Sequence, residues 1–355
     1  MKTLFLTIFA IFLGVFLLTK EILDTDRDEF QKEYSFYNKK FENLAKVEPM
    51  RAKPMIKSMF KFYKDSKKRL PKEEIPICKV KSDFYKSDSN ISIRWLGHSS
   101  NLIVLDSKVI LTDPMLSDRA SPVAFAGPKK YSNEPIDAKD FDFVDLILIS
   151  HNHYDHLDKK TIKTLKDKTE HFITPLGVKK TLVKWGVDKQ KVSELNWYEN
   201  LCFDGIDIVF TPTKHFSSRG LSDRDRTLWG SYVIKNSKYS IFFSGDSGYF
   251  DGFKEIGRRY GGFDFTLIES GAYNEAWAGM HMFPKQSVKA HLDLKGKYMI
   301  PIHWAKFDLA LHSWSEPISI ISKLAKENQI ELITPKIGEA VTFNNLPKEK
   351  WWEVI

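Results

Sequence analysis

From residue 91 onward, short apolar runs alternate with longer stretches in which apolar side chains recur every three or four positions. The first pattern predicts strands and the second predicts amphipathic helices, because side chains alternate across a sheet but return to one helix face each turn. Strands are predicted at 91–96, 102–105, 109–112, 144–150, 206–211, 229–234, 240–244, 265–269, 298–302 and 331–334. Helices are predicted at 159–167, 178–185, 250–260, 284–294 and 316–326. The fourth opens on Pro284, where a missing amide hydrogen costs nothing. No internal repeat or low-complexity tract is visible. Many strands, fewer helices and irregular spacing predict an α/β chain of layered sheets with helices outside.

The first 84 residues read differently. MKTLFLTIFAIFLGVFLLTKE places seventeen uncharged residues between Lys2 and Lys20, about the lower limit for a membrane-spanning helix. No small-residue cleavage site or lipoprotein cysteine follows, so residues 1–20 are read as an uncleaved anchor, with a signal peptide as the alternative. The mixed flanking charges determine orientation poorly, and the body is placed on the exported side. Residues 21–84 form a basic extension. Within it, 49–72 sets Met55, Met59 and Phe62 at helical spacing among nine Lys and Arg. That pattern suits a helix lying in a membrane interface, or equally one capping the body.

Charge sharpens this division. The 355-residue chain carries a net charge of +8, and residues 1–72 hold 16 Lys and Arg against 9 Asp and Glu, so the body is close to neutral. It contains no basic patch interleaved with aromatics, which argues against nucleic acid and favours an anionic phospholipid surface as partner. Only Cys78 and Cys202 occur, far apart. They predict neither a disulfide framework nor a thiolate metal site, and buried free thiols are the expected state.

The chemistry lies at strand ends, where loops carry function. ISHNHYDHLD follows an apolar run, His215 ends IDIVFTPTKH, Asp246 ends SIFFSGD and His303 ends YMIPIH. His151 and His153, two apart, can converge on one ion in an extended turn, while Asp155 and His156 address a second. Imidazole and carboxylate without thiolate suit zinc best, with manganese or iron also accommodated. A single histidine beside an apolar run is ordinarily structural. Four ligand-type residues in six positions, completed by three later strand ends, are not coincidence.

The motif HxHxDH at 151–156, with His215, Asp246 and His303 downstream, resembles the metallo-β-lactamase fold superfamily. The resemblance implies an αββα sandwich over 85–355 with a two-metal site, preceded by the apolar segment and basic extension. It implies that His151, His153 and His215 hold one ion, that Asp155, His156 and His303 hold the other, and that Asp246 bridges them. Further segments narrow the likeness: IRWLGHSSNLIVLDSKVILTDPMLSDRASPVAFAGPKKY (93–131), HFSSRGLSDRDRTLWGSYVI (215–234), SGDSGY (244–249), ESGAYNEAWAGMHMFPKQSVKAH (269–291) and IPIHWAKFDLALHSW (300–314). Together they resemble the N-acylphosphatidylethanolamine-hydrolysing phospholipase D family. A lactonase-like hydrolase is the rival, since WLGHSS also resembles its early motif. A non-catalytic, metal-stabilised membrane protein is the other.

That resemblance implies two Zn²⁺ ions, a phospholipid substrate cleaved at phosphorus, and release of an N-acylethanolamine with phosphatidic acid. Paired ions about 3.5–4 Å apart activate water and neutralise developing charge. Asp155 is expected to orient or deprotonate the attacking water. His281, in GMHMFP, matches a histidine lining the family's site and is expected to protonate the leaving alkoxide or bind phosphate. His98 is expected to support a ligand or a backbone carbonyl. His171 and His291 read as structural, and His312 has little claim. Arg219, Arg224, Asp225 and Arg226 read as loop-holding ion pairs rather than a phosphate clamp. Trp197, Trp229, Trp277, Trp304 and Trp314 read as core. The sequence leaves a homodimer open.

Overall fold

A computed structural model describes residues 36–37, 40–47, 69–81, 83–85, 90–220 and 222–355. The anchor at 1–20 and nearly all of the basic amphipathic stretch at 49–72 lie outside the described residues. Among those described, no helix is long and apolar enough to cross a membrane.

In chain order the strands are β1 (Phe36–Tyr37), β2 (Lys40–Phe41), β3 (Ile91–Trp95), β4 (Asn101–Leu105), β5 (Lys108–Thr112), β6 (Val144–Leu148), β7 (Thr169–Pro175) and β8 (Val192–Leu195). They continue as β9 (Asn200–Phe203), β10 (Ile206–Thr211), β11 (Ser231–Lys235), β12 (Ser240–Phe243), β13 (Phe263–Glu269), β14 (Gly296–Ile302), β15 (Glu331–Leu332) and β16 (Ala340–Val341). Among the described residues the α-helices are α1 (Lys159–Leu165), α2 (Lys179–Lys184), α3 (Gly252–Tyr260), α4 (Pro284–Asp293) and α5 (Glu316–Glu327). All five predicted helices are present. Asp158 caps α1 by accepting from the amides of Lys160 and Thr161, and left-handed Gly261 ends α3.

Two seven-stranded sheets face each other, ordered β16-β3-β4-β5-β6-β7-β8 and β15-β14-β13-β12-β11-β10-β9. Each is antiparallel at one end and parallel at the other, with helices crossing over in the parallel half. The period-2 alternation explains the layers. Ile93, Ile103, Ile110 and Leu148 meet Tyr232, Phe243, Leu267 and Ile300 in the central core. Leu102, Leu111 and Ile147 turn outward to Ile162 and Leu182 of α1 and α2, while Phe242 and Met299 turn outward to Phe253, Val288 and Ile321 of α3, α4 and α5. The predicted αββα sandwich is observed.

Three core elements come from outside this central span. Phe41 is 3% exposed and Ile75 4%, both in the central core, and Arg69 pairs with Asp308 at 2.8 Å. Near the other end, Trp351 stacks on Trp304, with ring centroids 5.2 Å apart, and Trp95 also stacks on Trp304 at 5.2 Å. Four tryptophans expected in the core, Trp197, Trp229, Trp304 and Trp314, are buried there. Trp277 is not: it is half-buried and lines a pocket. Both cysteines are free thiols, but Cys202 is exposed and Cys78 only partly buried, because β9, which carries Cys202, is an edge strand.

Candidate metal centre

All seven predicted ligands come from loops leaving one edge of the sandwich. Residues 150–156 follow β6, His215 follows β10, Asp246 follows β12 and His303 follows β14. His151 Nε2 lies 2.8 Å from His153 Nδ1, and His215 Nε2 lies 3.3 Å from that same nitrogen. On the other side, His156 Nε2 and His303 Nε2 stand 3.5 and 3.6 Å from Asp155 Oδ2. Asp246 Oδ2 reaches both groups, at 3.1 Å from His156 and His303 and 3.8–3.9 Å from His215 and His151.

The donor set fits metal ions on its own chemistry. His156 Nε2, His303 Nε2 and Asp246 Oδ1 are buried without a hydrogen-bond partner among the described residues, an expensive arrangement unless a cation engages them. Two clusters, His151/His153/His215/Asp246 and His98/Asp155/His156/His303, each bring their ligand atoms within 4.8 Å of one another.

Electrostatics divides the cluster. Burial lowers the pKa values of His151 and His215, and that of His153 to about 4, so these rings stay neutral. Burial also opposes charging His303, but Asp246, Asp155 and Glu269 together outweigh it and push the pKa up to about 10. His156 is raised likewise, against burial, by Asp246 and Asp155. Both carboxylates would rise through burial, yet His156, with His303, holds them well below the usual range.

The supports explain the geometry. His98 Nε2 contacts Asp155 Oδ2 at 2.9 Å, and the His98 carbonyl accepts from the backbone amide of His303 at 2.8 Å. His98 and His303 have φ of 53° and 66°, left-handed backbone held by these bonds, and Asp113 has φ of 38°. A Cβ at Gly271 would lie 2.1 Å from the His303 carbonyl oxygen, so only glycine permits that approach. Arg219 does not clamp the pocket: its guanidinium donates to the carbonyls of Asn152 and Leu157, both at 2.8 Å, and stacks on Tyr154. Arg224 stacks on Phe216 and lies 3.4 Å from Asp225. His171 bonds Ser193 across β7 and β8, His291 bonds Thr266, and His312 stacks on Tyr273.

Two further residues belong to this site. Asp113, after β5, is fully buried; it receives the Ser150 amide at 2.7 Å and holds His156 Nδ1 at 2.7 Å. Such a carboxylate fixes a ligating imidazole's orientation. Glu269, at the end of β13, is also fully buried and holds His281 Nδ1 at 2.8 Å. Both end apolar runs, VILTD and FDFTLIE, the signal that located Asp246. Asp113→Ala is expected to weaken metal binding by about 10–100-fold. Titration against a colorimetric chelator checks this, and unchanged affinity would remove Asp113 from the centre.

The ligands open onto a pocket of about 280 Å³ lined by His153, Asp155, His281 and the apolar Phe216, Trp277, Met280 and Leu309 among others. Asp155 and His281 show 16% and 15% of their side chains to it, whereas His151, His156, His215, Asp246 and His303 are at most 3% exposed. A larger groove of about 900 Å³, along Glu74–Val80 and α1, contains none of the predicted site residues.

Comparison with known proteins agrees with this geometry. The family model described as Beta-lactamase superfamily domain matches residues 108–304. The N-acyl-phosphatidylethanolamine-hydrolyzing phospholipase D 1 of Caenorhabditis elegans is 32% identical over 340 residues, covering 89% of this chain and 95% of that protein. An uncharacterized protein of Mycobacterium tuberculosis is 37% identical over 285 residues, covering 79% and 76%. A metallo hydrolase from Ignicoccus hospitalis shares the fold with a TM-score of 0.55 at 20% identity, over 71% of this chain and 98% of that one. The chain belongs to the metallo-β-lactamase superfamily as a metal-dependent hydrolase, and within it resembles the N-acylphosphatidylethanolamine-hydrolysing phospholipase D family.

Proposed function

We propose that this protein is a phospholipase D-type phosphodiesterase that cleaves N-acylphosphatidylethanolamine with two zinc ions, at a membrane surface reached through its N-terminal segment. The observation that carries this reading is the pocket, where a dense ligand cluster adjoins a wall of Phe216, Trp277, Met280 and Leu309 with no Lys or Arg among the residues lining it. A lipid chain has apolar surface to lie on, while an anionic phosphate relies on the ions and His281 for its charge. The C. elegans relative of that activity, matched over nearly its full length, supports the same choice.

When bound, the metals would lower the pKa of the attacking water and neutralise charge on the phosphoryl oxygens. His151, His153, His215, Asp155, His156, His303 and Asp246 would hold them. Asp155 faces the pocket with its Oδ2 against His98, placed to accept the water's proton. Water adds at phosphorus, the bond from phosphorus to the ethanolamine oxygen breaks, and phosphatidic acid remains. In its doubly protonated form His281 donates Nδ1–H to Glu269 and carries a second proton on Nε2, which passes to the departing alkoxide; the proton that Asp155 takes from water restores the imidazolium and closes the cycle.

Turnover of N-acylphosphatidylethanolamine vesicles in ¹⁸O-water by the full-length, zinc-loaded protein tests the proposal. The label is expected in the phosphate of phosphatidic acid. Label in a released fatty acid, or activity confined to a soluble lactone, would overturn it.

A further inference from the structure

The basic extension contributes to the ligand loops. Asn43 Nδ2 donates to the carbonyl of His215 at 2.7 Å, and Asn43 Oδ1 accepts from the amide of the same residue at 3.0 Å. One carboxamide thus satisfies both backbone groups of a metal ligand 172 residues away.

Local geometry explains why His215 needs such a partner. In an extended chain, backbone groups of successive residues point to opposite sides. Lys214 uses one side, where its amide donates to Ser247 Oγ at 3.0 Å and its carbonyl accepts from Gly248 at 2.8 Å. The groups of His215 face the other side, where Asn43 supplies one donor and one acceptor, as a neighbouring strand would. The imidazole is fixed separately, with Nδ1 3.0 Å from the Met280 carbonyl. His215 is therefore held at three points, two of them from Asn43.

The segment carrying Asn43 has its own attachments. Phe41 is 3% exposed in the central core, its amide donates to the Asp225 carbonyl at 2.7 Å, and Ala45 packs against the outer core beneath α3 and α4. Asn43 also lies outside the 108–304 span of the family match. We infer that Asn43 is a positioning residue that completes the His151/His153/His215 half of the metal centre from outside the matched domain. This inference rests on the metal ligand set assigned above.

Three full-length variants test it: Asn43→Ala, Asn43→Asp, which keeps the acceptor but not the donor, and Glu42→Ala at the exposed neighbouring position as control. Zinc retained after dialysis against graded chelator is expected to fall by about tenfold or more at one of two equivalents in Asn43→Ala, less in Asn43→Asp, and not in Glu42→Ala. In metal-free protein, hydrogen exchange of the His215 amide is expected to accelerate in Asn43→Ala and stay slow in Asn43→Asp. Unchanged exchange and zinc retention in Asn43→Ala would overturn the inference. If Asn43→Ala does not fold, unaltered zinc retention in Asn43→Asp would do so. A wild-type chain that binds no zinc would instead refute the ligand assignment, and the exchange measurement, made without metal, distinguishes the two failures.

Discussion

Full-length protein carrying Asp246→Asn is expected to lose turnover by about a thousandfold while remaining folded. Asp246 Oδ2 is the atom common to both ligand groups, 3.1 Å from His156 and His303 and under 4 Å from His151 and His215. Asparagine keeps the volume but removes the charge and one acceptor oxygen, so the two halves no longer share an anionic bridge. Transition-state charge stabilisation by such ions amounts to several kcal/mol, and about 4 kcal/mol corresponds to that thousandfold. The fold survives because Asp246 sits in the polar loops above the core and not within it. Steady-state kinetics alongside circular dichroism checks the prediction. A variant retaining a tenth of wild-type activity would show that the bridge is dispensable.

Metal removal is expected to have the second largest effect, and to depend on pH with a definite sign. Metal bound at about a thousandfold over its Kd stabilises by about 4 kcal/mol, so chelation should lower Tm by about 5–10 °C near pH 7. In the stripped protein His303, with a pKa of about 10, and His156 carry protons and pair with Asp246 and Asp155. A histidine raised above its unfolded pKa of about 6.5 stabilises the fold fully below that value, and the contribution is lost as pH rises through the folded pKa. The stripped protein therefore weakens between about pH 7 and pH 10. The loaded protein, whose ligating rings are neutral, does not, and the gap in Tm between the two widens over that window. Zinc uptake at pH 7 should correspondingly release protons, visible as a dependence of calorimetric heat on buffer ionisation enthalpy. A gap that narrows with pH, or uptake without proton release, would contradict the charge arrangement.

Much of the architecture followed from periodicity. Leu146, Ile147 and Leu148 alternate between two cores, and the helices bury one face each, so both signals survive in the sequence. β7 escaped because TEHFITP mixes charge, histidine and proline, and its pairing with β6 and β8 is a tertiary matter. β8, β9 and β16 are short and lie at sheet edges. The strand predicted at 229–234 starts at Ser231 because the Gly230 amide instead bonds the Ser150 carbonyl, tying the two ligand-bearing loops together. In the centre, strand-end position revealed the ligands. Asp113 and Glu269 carry the same strand-end signal, but their role as supports shows only when folding places them against His156 and His281. Asn43 carries no local signal, because its partner is a backbone group far along the chain.

The tryptophan stack constrains the order of events during synthesis. Trp304 follows His303 directly and stacks with both Trp95 and Trp351, while β16, at 340–341, closes one sheet by pairing with β3. A nascent chain that has just produced His303 has every candidate ligand but lacks an indole that stacks on the neighbouring residue and the last strand of one sheet. The support beneath His303 is complete only once residues through 351 have been made, so a firmly held His303 is expected to depend on sequence about fifty residues beyond the last ligand.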